Sequence, residues 1–345
     1  LGYERPGDNG IVERENSVLY RSLAPLFDQE RRQIVFPEGM EKLGNYTAEA
    51  MTKMFLAIGQ PYIEGAFMTK HGGRYYLQYA CPGTQYNTYA DGVYVGESPL
   101  GPFVRQASNP FSAVPGGFAT GAGHGSTVAD QFGNFWHAST MRISVNHDFE
   151  RRVGLFPAGF DEDGVLLCNQ NFACYPRRVP QGKFDPMALE PEWMLLSYAK
   201  PAEASSTAAG SSPALAVDED IRSWWSAADA APGQWLAVDL GAVCEVRAVQ
   251  VNLADEGIAQ TFAPESYGDE RATRHIELDP QPSRYTVQLS ADGHTWSIAA
   301  NADRECSNGY YELPEGTRAR YVRLVGGALP YGQALRVSGL RVFGV

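Results

Sequence analysis

The chain is short of basic charge. Its 28 Lys and Arg stand against 40 Asp and Glu, a formal net charge of −12. Such a surface repels nucleic acid and anionic membranes, so neither is an expected partner. Long apolar runs are missing as well: none approaches the roughly 20 residues that a membrane-spanning helix needs. Cysteines are few and scattered (Cys81, Cys168, Cys174, Cys244, Cys306), with no C-x-x-C spacing to suggest a zinc cage. Cys168 and Cys174 could bridge, but a domain of this size does not need it, and most of the five read as small buried hydrophobes. Helical periodicity is nearly absent. One candidate runs from Asn45 to Ile58, with Thr47 as N-cap and Met51, Met54, Phe55 and Ile58 on one face. The opening Leu1-Gly-Tyr-Glu-Arg has no Met and no charged-then-apolar leader, so it reads as an internal start.

What is present favours strands. There are 18 Tyr, 16 Phe and 6 Trp, with 36 Gly and 22 Pro to make turns. Apolar runs of four to seven residues lie between Gly, Pro, Asn and Asp clusters: Tyr75–Cys81, Gly92–Glu97, Ser126–Ala129, Asn134–Met141 and Val153–Phe156. That is an all-β pattern. At 345 residues the chain has room for two domains. After Trp193-Met-Leu-Leu-Ser-Tyr198 the composition turns small and polar. We expect a first domain over 1–198, a linker over 199–206 and a second domain over 207–345. In Tyr285-Thr-Val-Gln-Leu-Ser290 the Tyr, Val and Leu share one face of a strand. In Tyr321-Val-Arg-Leu-Val the Tyr, Arg and Val share the other register.

The stretch Tyr62-Ile-Glu64-Gly-Ala-Phe, followed by Gly-Arg-Tyr75-Tyr76-Leu-Gln-Tyr79, sets one carboxylate at the mouth of an aromatic strand. A carboxyl group among apolar and aromatic neighbours keeps its proton to higher pH, as a general acid must. Alternatively, Glu64 only caps or solvates a strand end. With the turn Ser98-Pro-Leu-Gly-Pro102, the segment Gly121-Ala-Gly-His124-Gly-Ser-Thr, and Arg151-Arg-Val-Gly-Leu-Phe-Pro157 running into Asp161-Glu-Asp-Gly164, residues 15–185 resemble a family 43 glycoside hydrolase. That resemblance implies a five-bladed β-propeller, here partial because the first blades are missing, and an inverting reaction with Glu64 as general acid. The chain departs from the pattern at Ala66, where proline is expected. The resemblance also implies an aspartate base and a second, acid-tuning aspartate upstream. Only Asp8 and Asp28 stand there, without the expected surrounding motif.

By the same resemblance His124 sits at the propeller axis, near a water or a calcium ion; it also reads as a hydrogen-bonded core histidine. Arg151 would face the pocket and hold sugar hydroxyls, or pair with Asp148 or Glu150. The loop Cys81 to Tyr89 would reach the pocket, where Tyr86 or Tyr89 could stack on a sugar and Gln85 or Asn87 could bond its hydroxyls. Each of these also reads as a loop-packing residue.

From about residue 203 the chain resembles a discoidin-like, coagulation-factor type C module. The carrying residues are Ala216-Val-Asp218-Glu-Asp220-Ile-Arg-Ser223-Trp224-Trp225, Gln234-Trp235 to Gly241, Tyr285 to Trp296, and Ala319-Arg-Tyr321-Val-Arg323-Leu. This implies a jelly-roll β-sandwich that binds carbohydrate, with Trp225, Trp235 and Trp296 in its core. It also implies a structural calcium at Asp218, Asp220 and Ser223, hard oxygen donors on one loop. Gly339 stands where the family's ligating glutamate is expected, and the same loop fits a solvated acidic turn. The insert from Asp255 to Pro282 and the residue Tyr331 are further ligand candidates. The two resemblances together imply a secreted, periplasmic or cell-surface protein. It is either a glycosidase for arabinose-, xylose- or galactose-containing polysaccharide or a non-catalytic glycan binder.

Overall fold

The computed structural model describes residues 24–43, 46–57, 63–81, 83–84, 88–142, 151–254 and 281–345. Short hairpins come first: β1 (Phe27–Asp28) pairs with β2 (Gln33–Ile34), and β3 (Lys42–Leu43) with β4 (Tyr46–Thr47). Helix α1 (Ala48–Ala57) follows, and Thr47 Oγ1 accepts the Ala50 N–H at 3.3 Å, as an N-cap does. Met51 and Phe55 are buried on its inner face, where the Phe55 ring meets Phe27 at 4.5 Å. The Met54 side chain and Ile58 lie outside the described residues.

Two antiparallel meanders form the body of the first domain. One comprises β5 (Glu64–His71), β6 (Arg74–Cys81), β7 (Ala90–Gly96) and β8 (Phe103–Arg105), with β9 (Ser112–Ala113) added beside β7. The other comprises β10 (Thr120–Ala129), β11 (Phe135–Arg142), β12 (Arg151–Phe160) and β13 (Leu166–Cys168). Each strand pairs with the next, the pattern of a propeller blade. β10 lies against β5, β6 and β7, so the blades pack face to face. The tight β5–β6 hairpin works because Gly72 and Gly73 take φ of 55° and 83°, values that side-chain-bearing residues avoid. All five expected strand segments are found; most extend a few residues further than their apolar runs.

The second domain is a sandwich. Its strands are β14 (Met194–Leu195), β15 (Ala202–Ala204), β16 (Trp225–Ser226), β17 (Trp235–Leu253), β18 (Ser283–Ser290), β19 (Ser297–Arg304), β20 (Asn308–Glu312), β21 (Arg318–Gly326) and β22 (Arg336–Gly344). The 19-residue β17 serves both layers. Its first half pairs with β15 and β21; its second half pairs with β20 and β22. The register shifts between Asp239 and Cys244, around Gly241 at φ 87°. Between the layers, Trp225, Leu236, Val238, Val251, Val287, Val322, Leu324 and Val342 form a continuous apolar core. Tyr285, Val287 and Leu289 point inward, as their alternation requires.

Two sequence expectations are corrected. The stretch 199–206 is not a free linker: β15 lies within it and pairs with β17, while β14 already pairs with β22. Small residues suit this narrow edge. Trp225 is a core residue, but Trp235 and Trp296 are only half-buried. They lie on the outer face beside the Arg323 guanidinium, 5.8 and 3.9 Å from their ring centres. In keeping with the sequence reading, Cys168 and Cys174 do not bridge; both are free thiols, and so are the other three cysteines. Burial raises the pKa of both.

The domains meet at Arg341, which is buried. Its guanidinium forms a two-pronged pair with Glu219 at 2.8 Å and also donates to Gln250 Oε1 and to the Cys174 carbonyl of the first domain. The Phe118 ring, also from the first domain, lies 4.6 Å from it. The absence of a Cβ at Gly339 is what admits Phe118: a Cβ there would come within 2.6 Å of that ring.

Candidate active site

Glu64 opens β5 at the rim of the first blade, with its side chain one-third exposed. Tyr89, just before β7, is buried and donates its hydroxyl to Glu64 Oε1 at 2.6 Å. His124, on β10 of the second blade, brings Nδ1 within 3.8 Å of the same oxygen and is about half exposed. Burial first, and then the bond to Glu64, push the Tyr89 phenol well above its usual pKa, so it stays a donor. The glycines explain how these groups come so close. A Cβ on Gly65 would lie 2.7 Å from the His124 ring, and a Cβ on Gly123 would lie 2.8 Å from the Tyr89 ring. β10 is bulged twice here, between Gly121 and Gly123 and between Gly123 and Ser126, and His124 takes φ of 56°. Bulges re-aim side chains, and this pair turns His124 outward to Glu64.

Beneath Gly125 runs a buried polar chain that joins the blades. Its proton order follows from one group that can only accept. Thr69 Oγ1 donates to the Thr127 carbonyl at 3.0 Å, so it must accept from Gln78 Nε2 at 2.8 Å. Gln78 Oε1 then accepts from the Thr127 hydroxyl at 2.8 Å, and Thr127 Oγ1 must in turn accept from His137 Nδ1–H at 2.9 Å. The far nitrogen, His137 Nε2, lies 2.9 Å from Asp91 Oδ2, which also accepts the Gly125 N–H at 2.9 Å. One proton is therefore shared between Nε2 and Oδ2. Burial raises the Asp91 pKa, and the bond from His137 opposes that rise. Asp91 Oδ1 has no partner in this interior. The chain holds Gly125, and through it the neighbouring His124, in position.

In the sandwich, the Asp218–Ser223 loop gathers oxygens. Ser223 Oγ lies 2.5 Å from Asp218 Oδ2, 3.1 Å from the Asp220 carbonyl and 3.2 Å from the Leu215 carbonyl. A hydroxyl has one proton, so it cannot satisfy three acceptors. These oxygens are hard donors of the kind a cation such as calcium takes. Against this, Asp218 Oδ1 accepts the Asp220 N–H, and Asp220 Oδ1 pairs with Arg222 at 3.3 Å. Glu219, at φ 63°, turns the other way to Arg341. Among the described residues no three His, Cys, Asp or Glu side chains converge as a metal cage.

Comparison with known proteins follows these two halves. Residues 13–166 match the model for glycosyl hydrolases family 43, and residues 215–324 match that for the NedA-like, galactose-binding domain. The chain carries a family 43 glycosyl hydrolase domain and a NedA-like galactose-binding domain. No curated protein matches significantly. Among solved structures, a glycoside hydrolase is 19% identical over 81% of this chain, with a TM-score of 0.41; the chain spans 60% of that protein's length. A chitosan-binding module from the chitosanase/glucanase of Paenibacillus sp. IK-5 is 21% identical over 44% of this chain and 99% of the module, with a TM-score of 0.34. A fucose-binding module from Streptococcus pneumoniae is 19% identical over 47% of this chain and all of the module, with a TM-score of 0.33.

Within the family 43 domain the expected residues divide. Glu64 and His124 are brought together. Arg151 begins β12 and is exposed, and its charge reaches Tyr89. Tyr89 departs from the expected sugar platform: its ring is buried on Gly123 and only its hydroxyl reaches the site. Gln85, Tyr86 and Asn87 lie outside the described residues, as do Asp8 and most of the insert after Asp255. Asp28 caps its own turn, with Oδ1 accepting the Glu30 and Arg31 N–H groups at 2.9 Å. In the galactose-binding domain Tyr331 is half-buried, its N–H held by Gln281. Sequence reading missed Asp91, His137 and Gln78. Their one signal was a polar residue at an inward position of a strand. Among the described residues no helix is long and apolar enough to cross a membrane.

Proposed function

We propose that this chain acts on arabinose-, xylose- or galactose-containing polysaccharide as part of an inverting glycosidase, with Glu64 as the general acid. The carrying observation is the Tyr89–Glu64 contact, with His124 on the same oxygen. A buried phenol fixes the carboxyl group, and its other side remains open to solvent, where a leaving oxygen would take the proton. Arg151 and His124 supply donors to sugar hydroxyls at the same rim. Inversion further needs a base on the opposite face of the sugar, and Asp28 is engaged in its own turn. The sandwich holds glycan near the rim. A structural calcium ion at Asp218 and Ser223, with the Leu215 and Asp220 carbonyls, would stiffen its loop; the departure at Gly339 makes that contribution small. A secreted or cell-surface setting suits polymeric substrates.

The test is sugar release from arabinan, xylan and galactan by the wild type and by Glu64→Gln, with the product anomer followed by NMR. Turnover is expected to vanish in the variant while its melting temperature is kept. Undiminished turnover in Glu64→Gln would defeat the acid role. The engagement of Asp28 favours one second reading, a glycan-binding protein without cleavage. That reading is supported if the wild type binds these polymers and releases nothing.

A further inference from the structure

A cavity of about 490 Å³ opens where the family 43 domain meets the sandwich, and neither Glu64, Tyr89 nor His124 lines it. Its size falls within the usual range of small-ligand sites. Both domains supply its walls. Its charges are not balanced evenly. Arg178 is matched by two carboxylates, Glu192 at 2.9 Å and Glu312 at 3.0 Å. Arg341 is matched by Glu219. Arg177 is different. It donates to the Asn171 carbonyl, its Nε–H is buried without an acceptor, and among the described residues no carboxylate pairs with it. Burial lowers its pKa, the direction expected of a cation short of counter-charge. An unpaired guanidinium on a cavity wall is costly, and a bound carboxylate would offset that cost through charge-assisted hydrogen bonds. On the sandwich side, Tyr310 is 43% exposed and offers an aromatic face to the same space.

We propose that this interdomain cavity binds an acidic sugar, a uronic acid unit of an oligosaccharide, with the carboxylate on Arg177 and the ring against Tyr310. The inference rests on the reading that this chain handles carbohydrate, and it adds an acidic subsite remote from Glu64. A guanidinium fork matches a carboxylate in two-pronged fashion, and a pyranose ring packs well on a phenol face. Neutral sugars would leave Arg177 unpaired and should bind this cavity poorly.

Isothermal titration of the full chain with trigalacturonic acid and with neutral galactotriose tests this. The acidic sugar should bind at least about tenfold more tightly than the neutral one at this site, and more weakly as salt is raised. Arg177→Met should remove that preference and leave galactotriose affinity unchanged. Tyr310→Ala probes the same cavity should Arg177→Met fold poorly, and should weaken the acidic sugar by a similar factor. Loss in either folded variant supports the site. Absence of trigalacturonic acid binding, or its retention in both variants, overturns it. Galactotriose binding reads the general carbohydrate role separately, so failure of one proposal is distinguishable from failure of the other.

Discussion

The phenol of Tyr89 lies 2.6 Å from Glu64 Oε1, and its ring fills the space that a side chain on Gly123 would take. One residue thus ties the carboxylate of β5 to the bulged strand that carries His124. Tyr89→Phe keeps the packing and removes the donor. A hydrogen bond to a charged group contributes about 1.5–3 kcal/mol. The partial exposure of Glu64 places this contact at the low end, so we expect a loss of about 1.5 kcal/mol in urea unfolding. A far larger loss would mean the ring, not the hydroxyl, is disturbed.

Asp130 shapes the β10–β11 turn and should set part of the acid sensitivity. Burial pushes its pKa up, but bonds from Asn134, Trp136 and Phe132 outweigh that and hold it down to about 2. A depressed carboxylate pKa stabilises the fold above the unfolded value of about 4, and the contribution fades as pH falls toward 2. The stability gap between wild type and Asp130→Asn should therefore be constant at neutral pH and narrow below about pH 4. A gap independent of pH down to 2 would contradict the assignment.

Gly125 is the tightest point between the blades. A Cβ there would lie 2.3 Å from the His137 ring and 2.6 Å from Asp91 Oδ2, both of them rigid buried groups. Gly125→Ala should cost several kcal/mol, as overpacking at a close-packed site does, about 1–3 or more. It should also disturb the Asp91–His137 contact, visible as a shift of the His137 ring signals by NMR. Wild-type stability in Gly125→Ala would show that the blades part more easily than their packing implies.

Arg341 is the electrostatic tie between domains. Breaking a buried pair from one side costs about 3–5 kcal/mol, because the partner is left charged and unpaired. Arg341→Ala should lower the melting temperature and separate calorimetric unfolding into two transitions, one per domain. A single transition at the original temperature would show that β14 and the apolar contacts suffice to couple the domains.

Strand alternation, turn glycines and the two resemblances made most of the architecture readable from the amino acids in order. A period of two in Tyr285–Ser290 has one physical solution; the glycines at 72 and 73 mark a turn of positive φ, and those at 123 and 125 mark close approaches that leave no room for a side chain. Glu64 and His124 were visible because their neighbours are distinctive. What linear order could not hold was the meeting of distant groups. Asp91 and His137 are 46 positions apart, and each alone is merely a polar residue on a strand. Tyr89 resembled a sugar platform until packing buried its ring. Arg177 acquired meaning only when two domains closed around it and, among the described residues, brought no carboxylate to it. Local pattern fixes which face of an element is apolar, but pairing of charges and donors depends on which faces meet, and only the folded chain decides that.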